Sequence, residues 1–210
     1  MQWAWYYDQT RCIGCNTCVV ACKDWNDVKP GPAKWRRLTV KETGAFPNVG
    51  VFNLVMGCNH CENPACVAAC PVGAVMKREE DGIVVVNREK CQGWKACLAR
   101  CPFETPQFGD AESEPVRQKN WLVDHPMQKC HFCWDRKKEG KKPACVDSCP
   151  NRALDAGPME DLMRKYPDAV RVVQGFPDSA RDRSGNLLTS GATRPSILFK
   201  PKPPQKPEVL

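Results

Sequence analysis

Residues 12 to 22 read Cys12-Ile-Gly-Cys15-Asn-Thr-Cys18-Val-Val-Ala-Cys22, and that spacing leaves the chain little freedom. Three cysteines, each two residues from the next, wrap a tight loop, so three thiolates converge on three corners of one iron–sulfur cube. The fourth falls four residues after Cys18, on the helix that follows, and points away from that cube. It is therefore due to serve a different cluster. Such a run demands a partner run elsewhere that returns a ligand.

The chain carries three more. The second is Cys58-x2-Cys61-x4-Cys66-x3-Cys70-Pro71, and the third is Cys91-x5-Cys97-x3-Cys101-Pro102. The fourth is Cys130-x2-Cys133-x11-Cys145-x3-Cys149-Pro150. All 15 cysteines fall in these runs. The third run is one short, because Trp94 stands where a C-x2-C spacing places a cysteine. The absence is in phase with the repeat and reads as a substitution within the motif.

Two other uses of cysteine compete. A secreted disulfide scaffold is usually short. It also needs a leader, and Met1-Gln-Trp-Ala-Trp-Tyr-Tyr-Asp8 shows neither a basic stretch nor an apolar run, so no signal peptide is expected. A zinc-bound structural or interaction protein would use C-x2-C pairs. It has no use for a third cysteine two residues on and a fourth before proline, repeated along the chain. With 42% hydrophobic residues, 19 Pro and 14 Gly, the chain is expected to be loop-rich, with inorganic clusters supplying stability that the apolar core lacks.

The formal charge of +7 suggests a nucleic-acid or acidic-lipid partner until the clusters are counted. Three oxidised four-iron clusters and one three-iron cluster, each about −2 with its thiolates, leave the loaded chain near about −1. The basic residues thus compensate cofactors, and no nucleic acid is expected. No stretch approaches the ~18 apolar residues of a membrane span, so no direct span is expected either.

Residues Trp3 to Tyr7 read as a strand, Val19 to Trp25 as a short helix, and 26–50 as an irregular connection. Gly50 to Met56 reads as a strand. The segments at Gly73–Val75 and Gly82–Asn87 bracket the turn-like Glu79-Glu80-Asp81-Gly82 and predict a hairpin. Residues 103–128 are polar and predict a surface excursion. Asp135 to Pro143 predicts a solvated basic loop, and Met159 to Tyr166 a short helix. The Pro/Lys end, Lys200 to Leu210, has no means of packing a core. Strand, cysteine loop, short helix and strand recur as a unit. Because ligands cross between units, four units predict two ferredoxin-like modules.

The segments Arg11-Cys-Ile-Gly-Cys-Asn-Thr-Cys18, Cys58-Asn-His-Cys-Glu-Asn-Pro-Ala-Cys66, Glu139-Gly-Lys-Lys-Pro-Ala-Cys145 and Cys149-Pro-Asn-Arg-Ala-Leu-Asp-Ala-Gly157 resemble the four-cluster electron-transfer beta subunits of the dimethyl-sulfoxide-reductase family of molybdenum and tungsten oxidoreductases. The similarity runs from about residue 5 to 160. The chain's length resembles the compact members, while Trp94 resembles the nitrate-reductase type, where that site holds a [3Fe-4S] cluster.

The resemblance implies an α+β fold of two bacterial-ferredoxin-like two-cluster modules, loop-rich, with an irregular C-terminal extension. Residues 1–50 plus 120–160 would form one module, 51–119 an inserted second, and 161–210 an extension lying on a partner subunit. It implies three [4Fe-4S] clusters, on Cys12, Cys15, Cys18 with Cys149; on Cys22, Cys130, Cys133, Cys145; and on Cys58, Cys61, Cys66, Cys101. A [3Fe-4S] cluster would sit on Cys70, Cys91 and Cys97 beside Trp94. The first lies nearest the molybdenum cofactor in such families, and the Trp94 cluster farthest from it. The competing reading of Trp94 is a packing residue beside a [4Fe-4S] cluster that takes a ligand from elsewhere. His60 is expected to pack near a cluster without ligating it. His125 and His131 are expected to be ordinary residues, with His131 placed to hydrogen-bond near Cys130.

No nucleophile–base pair, phosphate loop or carboxylate dyad argues for catalysis by this protein itself. The expected function is electron transfer between a molybdenum or tungsten catalytic subunit and a quinone-linked membrane anchor, cytochrome subunit or soluble carrier. A subunit of a hydrogenase or formate dehydrogenase complex is the neighbouring alternative. The expected location is the periplasmic side of a bacterial membrane, by co-export with a partner, with the cytoplasm as the alternative.

Overall fold

The computed structural model describes residues 1–112 and 118–203. Strand β1 (Trp3–Asp8) is the centre of a three-stranded sheet, antiparallel to β6 (Leu154–Pro158) and parallel to β7 (Ile197–Lys200). Being central, it buries both faces, which is why Trp3 to Tyr7 run without polar alternation. Ala4 and Tyr6 face α6 (Met159–Lys165), where Tyr6 stacks on Tyr166 with centroids 3.5 Å apart. Trp5 and Tyr7 face the main core. There Trp5 stacks on Phe132 at 4.0 Å and donates its indole N–H to the Cys58 carbonyl at 3.0 Å.

Two hairpins lie beside this sheet. Strands β2 (Arg36–Ala45) and β3 (Asn48–Gly57) pair through their whole length, turning at Phe46-Pro47. The irregular connection expected over 26–50 is thus corrected. Its prolines and first glycine sit at Pro30-Gly31-Pro32 and in the turn, outside the paired positions, so they break nothing. Only the base of this hairpin is buried, at Leu54, Val55 and Met56, while Phe46 at its tip is 92% exposed. Strands β4 (Val75–Lys77) and β5 (Val84–Val86) form the second hairpin where the turn signal placed it.

The remaining helices are short and follow cysteine loops: α1 (Thr17–Trp25), α2 (Ala65–Ala68), α3 (Ala96–Ala99), α4 (Trp134–Lys138) and α5 (Ala144–Asp147). Helix α1 packs on α5, and α2 on α3, so the first run meets the fourth and the second meets the third. The architecture is mixed helix and strand, and loop-rich.

Two polar segments differ from expectation. Within 103–128, of which 113–117 lie outside the described residues, Phe103, Trp121 and Met127 are buried and Gln107 bridges to Gln128. The basic stretch at 135–143 is largely paired. Lys137 meets the buried Asp81 at 2.5 Å, Arg136 meets Asp147 at 2.5 Å, and Lys142 meets Asp155 at 2.9 Å. The segment after residue 160 folds back on its own chain: Ile197, Leu198 and Phe199 are buried, and Ser196 Oγ donates to the His60 carbonyl at 3.0 Å. Residues 204–210 of the Pro/Lys tail lie outside the described residues. No described helix is long and apolar enough to cross a membrane.

Candidate metal centres

The four cysteine loops share one backbone. Two places after the first cysteine of each run, the chain turns left-handed: Gly14 (φ 75°), His60 (φ 42°), Gly93 (φ 72°) and Phe132 (φ 66°). Three places after Cys70, Cys101 and Cys149 it does so again, at Gly73 (φ 60°), Glu104 (φ 50°) and Arg152 (φ 51°). Each of these donates its N–H to the cysteine carbonyl, at 3.3, 3.3 and 3.2 Å, closing a turn after the Cys-Pro pair. A side chain at φ > 0 is strained, so the repetition at His60 and Phe132 shows that the loop shape outweighs that cost. Trp94 follows Gly93 and occupies the backbone slot that Cys15, Cys61 and Cys133 hold in the other runs. Its ring is 68% exposed, and its indole N–H donates to Gln92 Oε1 at 3.0 Å.

Folding gathers the cysteines from distant runs. Cys12, Cys15, Cys18 and Cys149 line one cleft. Cys22 lies within electrostatic reach of Cys130, Cys145 and Cys133. Cys66 has Cys58, Cys101 and Cys61 around it. Cys97 has Cys91 and Cys70, and these three line a cleft together with Trp94. The first three sets also adjoin in turn, since Cys18 feels Cys145 and Cys130 feels Cys58.

All fifteen cysteines are free. Among the described residues, no three His, Cys, Asp or Glu side chains stand close enough to hold a single metal ion. The sets are too open for a mononuclear zinc site, which wants four donors at about 2.0–2.3 Å from one ion. Sulfurs gathered but held apart suit a polynuclear core. Several already accept hydrogen bonds: from Ala153 N–H to Cys149 (3.3 Å), Phe132 N–H to Cys130 (3.4 Å), Met127 N–H to Cys91 (3.4 Å) and Thr17 Oγ1 to Cys15 (3.3 Å). Such bonds favour the more negative, reduced state of a cluster.

Burial pushes the thiols up. Cys18 and Cys97 rise to about 11, and Cys61 and Cys130 to about 12. Burial and the neighbouring Cys130, Cys145 and Cys133 lift Cys22 as well. The exposed Cys15 is held below the ordinary thiol value by the Thr17 hydroxyl and backbone. The buried sulfurs therefore carry protons until iron displaces them.

Buried polar atoms without a partner near the cysteine loops include Arg36 Nη2 and His60 Nε2. His60 is fully buried and accepts the Val84 N–H at Nδ1 (3.0 Å), so its proton resides on Nε2. Burial holds it neutral. Orphaned donors beside gathered sulfurs fit the sulfides of iron–sulfur clusters. His131 packs edge-on against Trp35 at 5.3 Å and accepts the Trp134 N–H at Nδ1. The His125 ring lies among the partnered residues of the 118–128 segment. Sequence reading missed Arg36 and Lys129. Lys129, 2% exposed, donates to the Val84 and Cys130 carbonyls. A cation directly before Cys130 was a legible signal; Arg36, far from any cysteine in sequence, gave none.

Comparison with known proteins agrees. Models of a 4Fe-4S dicluster domain match residues 50–159 and 11–74. One chain of the anaerobic dimethyl sulfoxide reductase of Escherichia coli is 37% identical, over 98% of the present sequence and 92% of its own. A subunit of the sulfite dehydrogenase of Allochromatium vinosum is 31% identical, over 96% and 83%. A subunit of the selenate reductase of Mesobacillus selenatarsenatis is 35% identical, over 77% and 62%. With dicluster motifs, gathered free thiols and relatives of nearly its full length, the protein belongs to the 4Fe-4S dicluster family, among the iron–sulfur beta subunits of molybdoenzymes.

Proposed function

We propose that this protein is the electron wire of a molybdenum or tungsten oxidoreductase complex and catalyses nothing alone. It would pass single electrons between a catalytic subunit and a quinone-linked membrane anchor, cytochrome subunit or soluble carrier. The observation that carries this reading is the gathering of fifteen free cysteines into sets, three of which adjoin in turn. Adjoining clusters are what stepwise electron transfer needs. The named relatives favour this reading over a hydrogenase or formate dehydrogenase subunit, and the open spacing of the sulfurs favours it over zinc.

In this proposal Cys12, Cys15, Cys18 and Cys149 hold one [4Fe-4S] cluster. Cys22, Cys130, Cys133 and Cys145 hold a second, and Cys58, Cys61, Cys66 and Cys101 a third. Cys70, Cys91 and Cys97 hold a [3Fe-4S] cluster, since an indole supplies neither the missing ligand nor the iron it would bind. The packing of α1 on α5 and of α2 on α3 supports two cross-ligated modules, 1–50 with 120–160 and 51–119. The exposed Ile13, Cys15 and Trp94 suit docking to partners. Co-export with the catalytic subunit to the periplasmic side of a bacterial membrane is the localisation that follows from this role.

Low-temperature EPR on anaerobically prepared protein tests the reading, with iron analysis expected to give about 15 iron atoms per chain. The oxidised sample should show one spin-half three-iron signal that disappears at relatively high potential, followed by three reductions at lower potential. A colourless preparation containing zinc refutes the function. An EPR-silent oxidised sample with four four-iron signals on reduction refutes only the reading of Trp94.

A further inference from the structure

Arg36 opens β2 and is 4% exposed, yet the largest charges acting on it include no carboxylate. Its neighbour Arg37 turns outward to the Phe103 and Glu104 carbonyls. Arg36 points inward. Its guanidinium carbon lies 4.4 Å over the Trp5 ring, and Nη2 has no hydrogen-bond partner. The largest charges acting on it are four sulfurs, Cys145, Cys130, Cys18 and Cys22.

These sulfurs come from two sets, not one. Cys18 goes with Cys12, Cys15 and Cys149, while Cys22, Cys130 and Cys145 go with Cys133. A guanidinium stays charged at any working pH, and a buried charge without an anionic partner is expensive. The largest charges acting on it come from the two cysteine sets.

We propose that Arg36 is a shared counter-charge that holds up the reduction potentials of both clusters of the first module together. The inference rests on the reading that both sets carry clusters. Each cluster gains one electron from its neighbour on reduction, with no proton and no bond made or broken, so its net charge falls by one. A fixed cation beside both favours the reduced form of each. Because one cation serves both, their potentials rise in step. The electron then crosses between them without a steep uphill move in either direction.

The test is redox potentiometry of the four-cluster protein followed by EPR, comparing wild type with Arg36→Gln and Arg36→Lys. Arg36→Gln should lower both first-module potentials, with at least a tenfold fall in the reduced fraction at fixed ambient potential, ~59 mV for a one-electron couple. The cluster of Cys70, Cys91 and Cys97, which Arg36 does not touch, serves as internal reference and should not move. Arg36→Lys keeps the charge and should restore most of the shift. Unchanged potentials in Arg36→Gln, a shift in one cluster only, or Arg36→Lys behaving like Arg36→Gln overturns the inference. If Arg36→Gln fails to load clusters, Arg36→Lys must load both, and failure of both variants assigns Arg36 to packing alone. A wild type without cluster signals refutes the underlying reading instead, so the two failures are distinct.

Discussion

Replacing Asp155 by Asn removes one charge from the joint between the central sheet and its covering helix. Asp155 accepts hydrogen bonds from Lys165 Nζ (2.8 Å), Lys142 Nζ (2.9 Å), Tyr166 Oη (2.9 Å) and the Ala156 N–H (2.8 Å). Burial opposes its charge, but these donors hold its carboxyl at about 2, against an ordinary 3.8. A depression of ~1.8 units corresponds to ~2.4 kcal/mol of stability. The side chains of Lys142 and Lys165 are 48% and 61% exposed, so solvent screening reduces this to about 1–2 kcal/mol. Because the folded pKa is the lower one, this stability is present above pH ~4 and is lost as pH falls toward ~2. Asp155→Asn keeps the size and one acceptor, and should lower the apparent melting temperature at pH 7 by about 2–8 °C. The gap between variant and wild type should roughly halve between pH 5 and pH 3. Thermal melts followed by circular dichroism measure both. Equal melting at pH 7, or a gap indifferent to pH, refutes the argument.

Three further outcomes are expected. Trp94→Cys restores a ligand in a backbone slot already shaped for it, so the oxidised three-iron EPR signal should vanish and a fourth low-potential [4Fe-4S] signal appear. Persistence of the oxidised signal would show that more than a missing thiolate sets the cluster type. Lys137→Met strips one cation from Asp81, whose side chain is 2% exposed and which still has Arg78 at 3.2 Å and the Ile83 N–H at 3.1 Å. A loss of about 1–3 kcal/mol in denaturant unfolding is expected, short of the full cost of an unpaired buried charge. Finally, burial raises the Cys18, Cys61, Cys97 and Cys130 thiols to about 11–12, so iron must displace protons. Reconstitution of iron-free protein should therefore release protons and become more favourable as pH rises from 6 to 9, read by pH-stat and by absorbance of the clusters. A pH-independent yield would contradict the burial of those thiols.

Much of the molecule was legible from local pattern. The strand at Trp3–Asp8, the helix at Thr17–Trp25 and the hairpin at Val75–Val86 follow from short-range apolar runs and turn residues, and the structure has them. Strand β2 was not legible. Its exposed outer half reads as polar, and it is held by cross-strand pairing to β3, which single-segment pattern does not reveal. Nor was β7, whose parallel pairing with β1 joins residues nearly the whole chain apart. The basic 135–143 stretch looked solvated because its carboxylate partners Asp81, Asp147 and Asp155 come largely from other segments.

The sequence by itself determined the chemistry: four in-phase cysteine runs, the vacancy at Trp94, and the tight loops that their spacing demands. These are local quantities, set by loop geometry over a dozen residues. Only the tertiary structure decided which runs face each other, that α1 meets α5 and α2 meets α3, and that Arg36 ends between two cysteine sets. Those placements depend on burial and charge pairing across long sequence separations, where one strand register decides whether a cation reaches water or sulfur.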